Sequence, residues 1–136
     1  MNKKILIIDD DPTVVKLIKT RLEANGYGAI VAKDGREGLH QAKTHKPDLI
    51  LLDVLMPDID GYTLVKELKK DEELRTIPVI IITIKEQLQD LFKQEGVKDY
   101  LVKPINTQEL LAKVRNYFGE PCTDSENSLS SDNQNS

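Results

Sequence analysis

The chain has 136 residues, 39 % of them hydrophobic, which suits one domain built around one core. Acids outnumber bases by 23 to 19, yet the surplus lies in the tail from Gly119 to Ser136, where Glu120, Asp124, Glu126 and Asp132 have no basic neighbour. A neutral body without a basic cluster excludes nucleic-acid binding driven by phosphate neutralisation, and apolar runs as short as Val79 to Ile82 exclude a bilayer-spanning helix.

No signal-peptide pattern precedes the first apolar run, so the reading is a cytoplasmic chain without membrane insertion. Cys122 is the only cysteine, which removes an internal disulfide or a cysteine metal cluster from consideration.

In chain order, Ile5 to Ile8 form the first aliphatic run and predict a strand, with Asp9, Asp10 and Asp11 at its end. Asp11-Pro12 then offers a helix N-cap followed by proline at the first helical position. Val14, Ile18 and Leu22 recur every four residues along that helix, and Gly26 can end it. Ala29 to Ala32 predict the second strand. Asp34 to Thr44 predict a helix on alternation more than on pattern, because Leu39 and Ala42 are its main apolar positions and Gly35 and Gly38 lower its propensity.

Leu49 to Leu52 predict the third strand, ending in Asp53, and Leu64, Val65 and Leu68 give the next helix its apolar face. Val79 to Ile82 predict the fourth strand, ending in Thr83, and Leu88, Leu91 and Phe92 suggest a fourth helix. Tyr100 to Val102 predict the fifth strand, ending in Lys103-Pro104. A last helix follows, with Thr107 as its expected cap and Leu110, Leu111 and Val114 as its apolar side. The strand runs are continuous rather than alternating, which suits strands covered on both faces. Strand and helix alternating five times predicts an α/β fold, a doubly wound parallel sheet with right-handed crossovers and helices on both faces. The tail from Gly119 onward holds one large aliphatic residue, Leu129, and is expected to be disordered.

Ligands of such sheets bind beyond the carboxyl ends of the strands, where the winding direction reverses. Asp9 to Asp11, Asp53, Thr83 and Lys103 all fall at such ends. Carboxylates brought together there repel one another, and a hard divalent cation, best Mg2+, relieves the repulsion. A lysine supplies compact positive charge for a phosphoryl group, and a threonine hydroxyl can donate to one of its oxygens. Without serine, cysteine or histidine at a strand end, the nucleophile is a carboxylate. Asp11, before Pro12, suits capping better than metal binding. His40 and His45 lie away from the strand ends and read as surface residues, and Lys69 to Glu73 read as a solvated helix end.

Residues 4 to 118 resemble the response-regulator receiver family, through Asp9-Asp10, Leu51-Leu52-Asp53-Val54-Leu55-Met56-Pro57-Asp58-Ile59-Asp60-Gly61, Thr83 and Asp99-Tyr100-Leu101-Val102-Lys103-Pro104. The resemblance implies a flavodoxin-like sheet of five strands in the order 2-1-3-4-5. It implies a receiver domain over residues 1–118, a polar tail over 119–136, and Asp53 as phosphoacceptor. Mg2+ would be held by Asp10, Asp53 and the backbone carbonyl of Leu55, with Asp9 acting partly through water. Lys103 would pair with the phosphoryl group and Thr83 would move to bond it. Tyr100 would then turn inward and change the surface of helix four, strand five and helix five of the pattern. The peptide before Pro104 is expected to be cis. The implied partners are a sensor histidine kinase or phosphotransfer protein and a downstream protein target, with a phosphorylation-dependent homodimer left open. The implied molecule is a switch that assists its own phosphorylation and dephosphorylation, not an enzyme acting on outside substrates.

Two features depart from the family pattern. Ile84 stands where a small residue is usual, and only nineteen residues separate Thr83 from Lys103. Other readings fit the residues less well. A haloacid-dehalogenase-like phosphatase would need an aspartate where Leu55 stands. A flavin or nucleotide binder would need a glycine- or hydroxyl-rich loop where three acids stand. A module binding its partner without phosphorylation would have no use for the acid, threonine and lysine set.

Overall fold

The computed structural model describes residues 3–53, 61–83, 97 and 99–119. Five strands, β1 (Lys4–Ile8), β2 (Gly28–Ala32), β3 (Leu49–Asp53), β4 (Val79–Thr83) and β5 (Asp99–Val102), form one parallel sheet in the order β2-β1-β3-β4-β5. Among the described residues, three helices, α1 (Pro12–Ala24), α2 (Gly35–His45) and α3 (Gly61–Lys70), connect β1 to β4 in turn. The expected fourth helix around Leu88 lies outside the described residues.

Strand order and chirality together fix which face each helix covers. The step from β1 to β2 runs towards one edge and the steps from β2 to β3 and from β3 to β4 run towards the other. Right-handed crossovers therefore put α1 on one face and both α2 and α3 on the opposite face. The side chains agree. Leu6, Ile8, Ile50, Leu52, Val79 and Ile81, alternate residues of three strands, form one buried cluster with Ala42 of α2 and with Leu64, Val65 and Leu68 of α3. Ile5, Ile7, Leu49 and Leu51 point the other way and are equally inaccessible, as are Ile18 and Leu22 of α1. Full burial of each such side chain contributes about 1.5–3 kcal/mol, so the central strands β1 and β3 anchor the core.

Local signals in the sequence are used as expected at α1. Asp11 is its N-cap, with a side-chain oxygen accepting from the Thr13 amide at 2.9 Å, and Pro12 follows. Beyond its C-cap Asn25, Gly26 adopts φ 89°, a left-handed conformation that glycine enters without a Cβ clash. The poorly patterned second helix forms because its first turn is capped from both directions. Asp34 Oδ1 accepts from the Glu37 amide at 2.8 Å, and Glu37 Oε1 accepts from the Lys33 amide at 2.7 Å. Leu74 and Ile77, in the turns after α3, are also buried in the cluster and complete a core that periodicity alone did not assign to them. The peptide between Lys103 and Pro104 is cis.

The chain divides into two compact units, Met1–Ile105 and Asn106–Ser136. Within the second lies the terminal helix, Thr107–Tyr117, with Leu110, Leu111 and Val114 buried. Its cap is not Thr107 but Asn106, whose side-chain oxygen accepts from the amides of Gln108 at 2.9 Å and Glu109 at 3.1 Å. Asn106 has the extended backbone a cap needs, whereas Thr107 is already the first helical residue. Asn106→Ala is expected to destabilise the terminal helix by about 1 kcal/mol, and Thr107→Ala by less than about 0.5 kcal/mol. Urea denaturation followed by circular dichroism distinguishes the two assignments.

Candidate functional site

The register of the central strands assembles the site. Ile8 of β1 pairs with Leu52 of β3, so the next residues, Asp9 and Asp53, lie side by side where the strands end. Thr83 pairs with Val102 at the ends of β4 and β5, and Lys103 follows directly. Chain connections leave β1 and β3 on opposite faces of the sheet, which opens a crevice at that point of the rim.

Asp9 and Asp53 are 1 % and 5 % exposed, a depth at which two carboxylates need a cation. The Lys103 ammonium supplies one, standing 3.3 Å from Asp9 Oδ2 and 3.4 Å from Asp53 Oδ2. Burial works against the charged lysine, but Asp53 and Asp9 together outweigh it and hold the Lys103 pKa above its ordinary value. The other oxygen of Asp9, Oδ1, accepts from the Asp11 amide at 2.9 Å, which fixes the carboxylate's rotation.

Asp10 completes the acidic set from the solvent side. One carboxylate oxygen from each of Asp9, Asp10 and Asp53 lies within 4.8 Å of the others. Opposite ligands of an octahedral Mg2+ stand about 4.2 Å apart, so small side-chain adjustments suffice to enclose the ion. Asp9 Oδ2 points the same way: it is buried, stands 3.3 Å from the Lys103 ammonium, and makes no hydrogen bond of good geometry among the described residues. An orphaned hard oxygen beside two more carboxylates fits a magnesium site.

The structure thus brings Asp9, Asp10, Asp53 and Lys103 together. Thr83 ends β4 as expected, and its side chain lies outside what is described. Leu55 and Ile84 also lie outside the described residues. Tyr100 is half-buried and packs against the main cluster. Asp11 is a helix cap, and His40 and His45 are exposed, all three as read from the sequence. What the sequence did not reveal is that Lys103 bridges two carboxylates and that the Asp11 amide orients Asp9. The short Asp-x-Asp spacing was the available signal for the latter.

A doubly wound parallel sheet with an acidic cation site at its switch point defines an α/β module of the flavodoxin-like class. The chain belongs to the response regulator receiver domain family, whose profile matches residues 5–115. It is 41 % identical over 117 residues to the alkaline phosphatase synthesis transcriptional regulatory protein PhoP of Bacillus subtilis, a match covering 85 % of this chain and 48 % of PhoP. It therefore spans about half the length of that relative. Protein PilH of Pseudomonas aeruginosa is 39 % identical, over 82 % of this chain and 93 % of PilH. Among solved structures, a response regulator from Chloroflexus aurantiacus superposes with a TM-score of 0.83 at 34 % identity, covering 88 % of this chain and all of that one. The receiver domain of a Pseudomonas aeruginosa sensor histidine kinase, with a magnesium ion coordinated in its active site cleft, gives a TM-score of 0.80 at 29 % identity, again over 88 % of this chain and all of that one. Receiver domains are signalling domains of two-component systems that accept a phosphoryl group and bind Mg2+ in an acidic site. Among the described residues, no helix is long and apolar enough to cross a membrane.

Removal of the lysine isolates the consequence of this geometry. Lys103→Met leaves Asp9 and Asp53 buried without their cation, and should cost about 2–3 kcal/mol of stability in the presence of a chelator. Millimolar Mg2+ is expected to recover more stability in the variant than in the parent, since the metal meets unneutralised carboxylates. Thermal unfolding with chelator and with Mg2+ checks both expectations, and equal Mg2+ responses would contradict the shared-carboxylate arrangement.

Proposed function

We propose that this receiver accepts a phosphoryl group on Asp53 from a sensor histidine kinase or phosphotransfer protein and passes the signal to a downstream protein target. The observation that carries the assignment is the position of Asp53, with one oxygen in the acidic cluster and Oδ2 at 3.4 Å from Lys103. A carboxylate so placed is both the nucleophile and a neighbour of the charges that would stabilise the incoming group.

In the proposed step an Asp53 oxygen attacks phosphorus and a new O–P bond forms. The N–P bond of the donor phosphohistidine breaks, and the departing imidazole takes up a proton. Asp10, Asp53 and the Leu55 carbonyl would hold Mg2+ directly, with Asp9 partly through water. Bound there, the ion supplies charge neutralisation at the phosphoryl oxygens. Lys103 keeps its ammonium at the rim and exchanges a carboxylate for a phosphoryl oxygen. Thr83, at the end of the neighbouring strand, donates its hydroxyl to another of those oxygens. The same residues would assist water in removing the group.

Tyr100 links this chemistry to the surface. It lies on β5 next to the strand that ends in Thr83, in register with Ile81, and packs partly against the core. A shift of Thr83 towards the phosphoryl group would let the Tyr100 ring turn inward, changing the surface that β5 offers to a partner. One phosphoryl group can tip such a balance if the two arrangements differ by a few kcal/mol. The receiver module is assigned to residues 1–118, residues 119–136 form a polar tail, and the protein acts in the cytoplasm.

Incubation with a small acyl phosphate and Mg2+ should label the parent with an acid-stable, base-labile phosphoryl group. Asp53→Asn, which keeps the shape but not the nucleophile, should take up none. Undiminished label in that variant would place the acceptor elsewhere.

A further inference from the structure

Gly38 of α2 lies close against the last residue of β1, Ile8. A Cβ built on it would stand 2.7 Å from Ile8 Cδ1, 3.1 Å from Cγ1 and 3.2 Å from Cγ2. Contacts below 3.0 Å force something to shift, and here three carbons of one branched, fully buried side chain crowd the same point. Ile8 is fully buried, which leaves its side chain little room to turn away from an added carbon.

Ile8 is not an ordinary core residue. It is the last residue of β1, bonded directly to Asp9, whose amide donates to the Ala32 carbonyl at 3.1 Å. Only Lys33 and Asp34 separate the end of β2 at Ala32 from the start of α2 at Gly35. The reciprocal bonds of Asp34 and Glu37 lock that short connection, and the Gly38 amide bonds the Asp34 carbonyl at 2.9 Å. The first turn of α2 therefore cannot retreat from β1 without dragging the end of β2. A shift of Ile8 would be passed along the chain to Asp9, its covalent neighbour.

We propose that Gly38 is a positioning residue for the magnesium site: its missing side chain makes room for Ile8, and the matched sizes of the two set where Asp9 and Asp10 stand. The inference rests on the magnesium reading given above. Mg2+ demands near-ideal octahedral geometry, so displacements of a few tenths of an ångström at two of its carboxylates weaken binding.

The test compares the parent, Gly38→Ala, Ile8→Val, and the double variant Ile8→Val/Gly38→Ala by calorimetric titration with MgCl2, alongside urea denaturation. The double variant moves one methyl from Ile8 to position 38, removing the nearest atom and keeping the total volume. Gly38→Ala should weaken Mg2+ binding by about threefold to tenfold, less than the roughly 10–100-fold that loss of a hydrogen-bonding partner behind a metal site costs, because only packing changes. Ile8→Val should bind as the parent does, and the double variant should return to within about twofold of it.

A Gly38→Ala protein that loses stability but binds Mg2+ like the parent would show a purely structural glycine and overturn the proposal. So would a double variant that folds yet stays weak. Should Gly38→Ala fail to fold, a double variant that folds and binds like the parent supports the size match. A parent that binds no Mg2+ overturns the metal reading itself, an outcome distinct from a parent that binds and a variant that does not differ.

Discussion

Two carboxylates buried side by side, with one ammonium between them, set the terms for the rest of this molecule. Asp9 and Asp53 are adjacent because β1 and β3 pair in parallel with Ile8 opposite Leu52, and neither side chain reaches water freely. Such a pair is costly without cations, and Lys103 at 3.3 and 3.4 Å meets only part of the demand, since Asp9 Oδ2 still makes no hydrogen bond of good geometry among the described residues. The site is thereby poised to take a further cation, and any group that changes its charge changes the pull on Lys103.

A rigid frame is needed to hold like charges together, and the sheet provides it. The central strands are covered on both faces, by α1 on one side and by α2 and α3 on the other, so their ends cannot splay apart to relieve repulsion. Smaller devices refine the positions. The Asp11 amide holds Asp9 Oδ1 while the Asp11 side chain caps α1, so one residue ties the acidic turn to the helix that follows. Capping by Asp34 and Glu37 fixes the start of α2, whose Gly38 fits against Ile8. The devices that fix geometry are therefore gathered at the rim, where the destabilising charges also lie.

The relatives place this arrangement in different settings. PilH is matched over nearly its whole length, whereas PhoP is matched over about half of its own. The same receiver architecture thus occurs both as nearly the whole of a protein and as a part of a longer regulator. The shared part is the sheet with its acidic rim, which is the level at which fold and chemistry are coupled. What a receiver controls depends on surfaces beyond that rim.

The sequence by itself determined the strands, the parallel class and the identity of the charged residues at the rim. Continuous aliphatic runs at Ile5 to Ile8 and Leu49 to Leu52 have no stable placement except between two layers, and Asp11-Pro12 and Gly26 carry their backbone preferences wherever they stand. The family resemblance added the strand order and the cis peptide before Pro104, both observed. Tertiary structure decided what depends on distances between residues far apart in the chain. Lys103 bridges Asp9 and Asp53 because three strand ends converge. Leu74 and Ile77 enter the core because α3 and its turns lie over the sheet, and Gly38, read locally as a poor helix former, is the residue that lets α2 approach Ile8. The choice of Asn106 over Thr107 as a cap was a question of one residue's backbone angle, which local sequence left open. Propensity and periodicity act over a few neighbouring residues, whereas register, burial and close approach arise only when separate segments are packed together.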